Sequence, residues 1–157
     1  MIRLARESDI PNILELLVQV NMVHHIGRPD IFKGPTTKYS KEEILPMLTD
    51  DKNPIFVYED ESGEKEILGY AFCQTKETKE NNLLHGARSL YIDDLCVFED
   101  ARGKHIGESL YKHVRQYAID KGYTNVTLNV WGFNEAAMGF YEKMGMSPRN
   151  ITMEDRL

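Results

Sequence analysis

The chain has 157 residues, the length of one domain and enough to bury a proper core. With 41% hydrophobic and 28% charged residues it is neither a disordered nor a fibrous polymer, and its apolar runs fall well short of the roughly 20 residues of a membrane span. A formal charge of −6 argues against nucleic acid as a bulk partner and leans toward a cationic one.

Residues 1–6 alternate apolar and polar around Ile2 and Leu4 and predict a first strand. Ser8 or Asp9 then caps a helix with Pro11 in its first turn, and Ile10, Ile13, Leu14, Leu17 and Val20 share one face, with His24 at its far end. Residues 24–40 hold Gly27, Pro29, Gly34 and Pro35 and predict an irregular segment; a loop this long in a small domain reads as a binding element. The run Ser40-Lys41-Glu42-Glu43 caps a short second helix reaching Leu48, with Pro46 limiting its regularity. Strands are predicted at 54–59 and 67–75, joined as a hairpin by the polar residues 60–64, where Gly63 suits a positive φ. Residues 76–88 are polar and read as a mobile connection.

A strand at 89–98 follows, then an amphipathic helix at 106–121 whose apolar face is Ile106, Leu110, Val114, Tyr117 and Ala118 and which Gly122 ends. Residues 124–131 form a further strand, Asn134 or Glu135 begins the last helix, Gly145 ends it, and 150–154 predict a final edge strand. Cys73 and Cys96 lie inside apolar strand patterns and read as buried thiols of a reducing, cytoplasmic compartment; no zinc-type spacing is present, so no metal is expected. The N-terminus lacks the pattern of a secretory leader, and no membrane association is expected. Two strands joined by a crossover helix are parallel, so 89–98 and 124–131 should be neighbours in a mixed sheet with helices on both faces.

Between that strand and its helix runs Arg102-Gly103-Lys104-His105-Ile106-Gly107. A strand feeding a small-residue loop that opens a helix aims free backbone N–H groups and the positive helix end at one point, a candidate anion seat. This loop resembles the pyrophosphate loop, (Q/R)-x-x-G-x-(G/A), of the GCN5-related N-acetyltransferases. Asn129-Val130-Trp131-Gly132-Phe133-Asn134 with Phe140-Tyr141-Glu142-Lys143-Met144-Gly145 resembles that family's second motif, N-x-x-A-x-x-F-Y-x-K-x-G-F. The resemblance spans the chain in order and length, with one departure: His105 stands where the motif has its first glycine.

The resemblance implies a single acetyltransferase domain over 1–157 with the acyl-CoA N-acyltransferase fold. That fold is a mostly antiparallel mixed sheet in which the central parallel pair splays apart to admit the cofactor's pantetheine arm. It implies acetyl-CoA and an amine acceptor as partners, with no nucleic acid. Residues 102–107 would seat the CoA pyrophosphate, the backbone of Leu95, Cys96 and Val97 would meet the thioester and arm, and Asn134 would touch the arm. Arg102 and Lys104 would help electrostatically. A side chain at His105 either takes a negative φ with the imidazole swung outward, the favoured reading, or contributes a hydrogen bond to the phosphate. Tyr141 falls where the family's general acid protonates the departing thiolate.

The attacking amine must shed a proton. Asp93 and Asp94 are the candidate acceptors, because adjacent carboxylates inside an apolar strand are costly unless used or paired. Strand alternation predicts that only one of them faces a given side. Tyr91-Ile92-Asp93-Asp94-Leu95-Cys96-Val97 resembles the Y-x-E-D-x-x-V of polyamine-type acetyltransferases, which favours Asp93 as the base. His24 and His25 with Arg28, Asp30, Phe32 and Tyr39 would shape the acceptor wall, and Trp131 would wall the pocket or join the core. Cys96 has no histidine base near it in sequence, and direct transfer needs no acyl-enzyme. The acceptor is a small cationic amine or a peptide amine. The alternative is a non-catalytic acyl-CoA-binding regulatory domain, which His105 in place of glycine would suit. Homodimerisation is compatible with the sequence without being specified by it.

Overall fold

A computed structural model describes all of residues 1–157. The elements run β1 (Ile2–Leu4), α1 (Ile10–Gly27), α2 (Lys41–Met47), β2 (Ile55–Glu59), β3 (Ile67–Thr78), β4 (Ala87–Val97), α3 (Ile106–Asp120), β5 (Asn125–Thr127) and α4 (Glu135–Lys143). The five strands form one sheet in chain order, antiparallel from β1 to β4, with β5 parallel to β4. No helix is long and apolar enough to cross a membrane.

Alternation along β3 divides the core between two faces. A Cβ on Gly69 would come within 3.2 Å of Leu110 in α3, whereas Cys96, opposite Tyr70, lies against the Leu16 carbonyl of α1. The two helices therefore cover opposite faces with fully buried Ile13, Leu16 and Leu17 on one and Leu110 and Val114 on the other. Ser40 and Glu43 form the expected capping box at α2, Gly63 has φ 78°, and Gly122 and Gly145 take positive φ just past α3 and α4. Asp9 does not cap α1 with its side chain. Its buried carboxylate accepts two hydrogen bonds from the Arg3 guanidinium, at 2.7 and 3.0 Å, and one from the Arg6 N–H.

Three expectations are corrected. α1 continues through His24 and His25 to Gly27, because the chain leaves the helix only at Arg28, where the following Pro29 disfavours helical ψ. The two ends of 76–88 are strand: the β3–β4 ladder extends to Thr78↔Ala87, so the irregular connection is confined to 79–86. Residues 150–154 form no strand; Arg28 instead holds Glu154 at 2.9 Å and Asp30 holds Arg156 at 2.9 Å, tying the tail to the end of α1.

Candidate active site

β4 is paired very differently on its two sides. Against β3 it is laddered from Gly69↔Val97 to Thr78↔Ala87, but against β5 it pairs only at Ser89↔Asn125, Leu90↔Val126 and Tyr91↔Thr127. The strand expected at 124–131 thus ends at Thr127, and from Ile92 onward that edge of β4 is open. This is the splay that the family resemblance implies. The Phe98 N–H donates to the Leu68 carbonyl of β3 at 2.9 Å, so strand alternation turns the N–H groups of Leu95 and Val97 toward the gap. Gln19 of α1 pins the strand end. Its Nε2 donates to the Val97 carbonyl at 2.9 Å, and its Oε1 accepts from the Glu99 N–H at 3.3 Å.

The loop after β4 is the candidate anion seat. The Arg102 N–H closes a 3₁₀ turn onto Glu99, and the next N–H with an acceptor in the chain is that of Ser109, bonded to the His105 carbonyl at 3.0 Å. Between them the N–H groups of residues 103–108 donate to no protein acceptor, because the α3 N-terminus carries no side-chain cap. Neither Arg102 nor Lys104 has a carboxylate partner. Gly103 and His105 take φ 81° and 60°, so the backbone keeps the left-handed bend that a glycine would make. The expected negative φ at His105 is overturned, because the bend is set by the turn into α3 rather than by the side chain. The imidazole does point outward, 78% exposed, with Nδ1 3.3 Å from Glu108. Gly107 lies against Phe140 and Val97, which brings α4 and the end of β4 to the same corner.

At the other end of the gap lie the two aspartates. Phe72 pairs with Asp94 and Cys73 with Ile92, so Asp93 is the extra residue of a β-bulge. The bulge cancels strict alternation, and both carboxylates meet one row of aromatic rings. Tyr70 packs edge-on to Phe72 at 4.9 Å, and Phe72 stacks on Tyr39 at 5.5 Å. The phenols at the two ends donate to the two acids, Tyr70 to Asp94 at 2.5 Å and Tyr39 to Asp93 at 2.6 Å. Lys38 donates to the other Asp93 oxygen at 2.7 Å. Burial pushes the Asp94 carboxyl up to about 6, with the Tyr70 hydrogen bond opposing the rise. A cavity of about 210 Å³ lined by Tyr39, Phe72 and Gln74 adjoins this row.

Tyr141, on α4, is half-buried beside Tyr111 and Phe140, at ring distances of 6.2 and 5.0 Å. Its hydroxyl has no hydrogen-bond partner in the chain, and it is no buried orphan, so it opens on space. Burial, and then the nearby Asp94 charge, raise its pKa well above the usual phenol value. The Asn134 Oδ1 caps α4 by accepting from the Ala137 N–H at 3.1 Å, which leaves its amide NH2 free.

The histidines are absorbed locally: His24 packs on Phe32 at 4.9 Å, and His25 Nδ1 sits 2.7 Å from the Phe32 carbonyl. Trp131 is 39% exposed, edge-on to Phe32 and stacked on Phe133, so it walls the outer end of the 28–40 loop. Cys96 is buried and its thiol pushed up to about 12, which suits packing and not nucleophilic attack. Sequence reasoning did not single out Gln19, Lys38 or Tyr70. The one signal for Tyr70 was that a buried aspartate needs a donor within reach.

The pattern of the Acetyltransferase (GNAT) family matches residues 20–146. The chain belongs to this family. It is 29% identical over 157 residues to the thialysine N-epsilon-acetyltransferase of Bos taurus and 34% identical over 159 residues to that of Sus scrofa; each match covers 92% of this chain and 82% of the relative. Among solved structures, a mutant of the BH1408 protein from Bacillus halodurans superposes with a TM-score of 0.94 at 28% identity, covering 100% of this chain and 99% of that one. The glucosamine-6-phosphate N-acetyltransferase of Arabidopsis thaliana, at 24% identity and a TM-score of 0.71, shares the fold. This GNAT chain is an N-acetyltransferase, of a family that uses acetyl-CoA and an amine acceptor.

Proposed function

We propose that this N-acetyltransferase takes its acetyl group from acetyl-CoA and passes it directly to a primary amine held beside it in a ternary complex. The acceptor is a small cationic amine, with the lysine-like ε-amine in the names of the thialysine N-epsilon-acetyltransferases as first candidate. One observation carries this reading. The gap beside β4 has unpaired backbone N–H groups and two free cations at one end, and an acidic, phenol-lined seat at the other.

Acetyl-CoA supplies the activated acetyl group. The free N–H groups of residues 103–108, with Arg102 and Lys104, suit its pyrophosphate, and those of Leu95 and Val97 suit the amide-bearing arm and the polarised carbonyl. Asn134 offers the arm its free amide. Asp93 seats the acceptor ammonium and takes its proton, directly or through water. Tyr141 stays protonated at neutral pH, so its hydroxyl can hydrogen-bond the departing thiolate. Holding the reactants together is worth up to about 7–11 kcal/mol and acid–base help roughly 10²–10⁴-fold, so positioning carries most of the catalysis.

The test is CoA thiol release from acetyl-CoA over a panel of small amines and lysine peptides. Release with cationic primary amines supports the reading. Intact acetyl-CoA binding without release for any amine overturns it.

A further inference from the structure

Lys38 already presents a lysine ammonium at the seat described for the acceptor. Its Nζ lies 2.7 Å from Asp93 Oδ1, beside the Tyr39 ring at 5.7 Å, while the Tyr39 hydroxyl holds Oδ2. Two features separate this contact from an ordinary surface ion pair. The Asp93 side chain is 7% exposed, against 73% and 27% for the side chains of the carboxylates that pair with Lys65 and Lys112. Asp93 is also the bulged residue two positions past Tyr91, the last residue of β4 paired to β5, so it lies inside the opened edge. The Lys38 side chain itself is 49% exposed, so it reaches the seat from the solvent side.

We propose that Lys38 is a built-in acceptor: its ε-amine occupies the seat on Asp93 and receives the acetyl group when no free amine displaces it. This rests on the reading of Asp93 as the acceptor seat. The Lys38 ammonium gives one proton to Asp93, and the neutral amine attacks the thioester carbonyl carbon of acetyl-CoA. A C–N bond forms and the C–S bond breaks. The thiolate leaves with its electron pair and takes up the proton that the nitrogen sheds on becoming an amide, while the Asp93 proton passes to solvent. The acetylated side chain has lost its charge and no longer competes for the carboxylate. Lys38 therefore acts first as a tethered competitor of small amines and then, once modified, leaves the seat to them.

The experiment incubates the full chain with acetyl-CoA alone and follows it by intact-mass spectrometry and peptide mapping. One acetyl group is expected on Lys38, added at a rate independent of protein concentration and about tenfold or more faster than on the exposed Lys79. A saturating primary amine should suppress it, and Lys38→Ala should lower the KM for that amine several-fold. Turnover of free amines with Lys38 unmodified, with labelling spread evenly over exposed lysines, or with a rate that scales with protein concentration overturns this proposal and leaves the acetyltransferase reading standing. Failure to acetylate any amine, Lys38 included, overturns both.

Discussion

The two edges of β4 divide the work of the molecule. On the β3 side the ladder runs from one end of the strand to the other, with fully buried Tyr70, Ala71 and Leu90 packed along it. On the β5 side three pairs hold and the rest of the edge is open. An unpaired buried backbone group is costly, so an open edge persists only where something else can satisfy it. Gln19 does so for the Val97 carbonyl, and the proposed cosubstrate would do so for the amides beside it. One edge makes the sheet stable and the other leaves it usable.

Substitutions on each edge should separate those roles. The largest effect is expected at Leu90, fully buried where both ladders hold. Leu90→Ala should lower unfolding free energy by about 3 kcal/mol in urea titrations and change the acetyl-CoA Kd of the folded protein less than about twofold. Tyr141→Phe at the open edge should do the reverse. Because its hydroxyl bonds nothing in the chain, stability should move by less than about 1 kcal/mol while kcat falls about 100-fold. Equal kcat values for the two proteins would remove Tyr141 from the chemistry.

Asp94 sits between the two edges, and its effect depends on pH. Its folded pKa, raised from 3.8 to about 6, means the native state binds this proton more tightly than the unfolded chain. Its stabilising contribution is complete below about pH 4 and is lost as pH rises through about 6. Asp94→Asn cannot ionise, so its stability relative to the unsubstituted chain should rise by about 2–3 kcal/mol between about pH 4 and about pH 7. Parallel urea midpoints at those two values check it. The smallest effect is at the candidate anion seat: His105→Gly relieves a left-handed residue and should stabilise by about 1 kcal/mol, with acetyl-CoA affinity held within about twofold. A large loss of affinity would give the imidazole a role at the phosphate.

Much of this was legible before any coordinates. Ser40 with Glu43 announced a helix start, Gly63, Gly122 and Gly145 fell where positive φ was needed, and the parallel pairing of β4 with β5 followed from the crossover helix between them. Three misreadings share one cause. Composition stood in for geometry at 24–27, where glycine and histidine sit inside a helix, at 76–78 and 87–88, where polar residues extend a laddered hairpin, and at 150–154, where an alternating pattern is held by ion pairs instead. Alternation also failed at Asp93, because the bulge depends on how β3 and β4 register and leaves no mark in either strand alone.

The sequence by itself determined the order of elements from β1 to α4, the strand–loop–helix around 102–107 and the family, because periodicity, capping and glycine placement act between residues a few positions apart. Tertiary structure alone decided where β5 leaves β4, how both aspartates reach one aromatic row, and that Lys38 meets Asp93 across 55 positions of chain. Contacts of that span are settled by packing between whole elements, which no local pattern encodes.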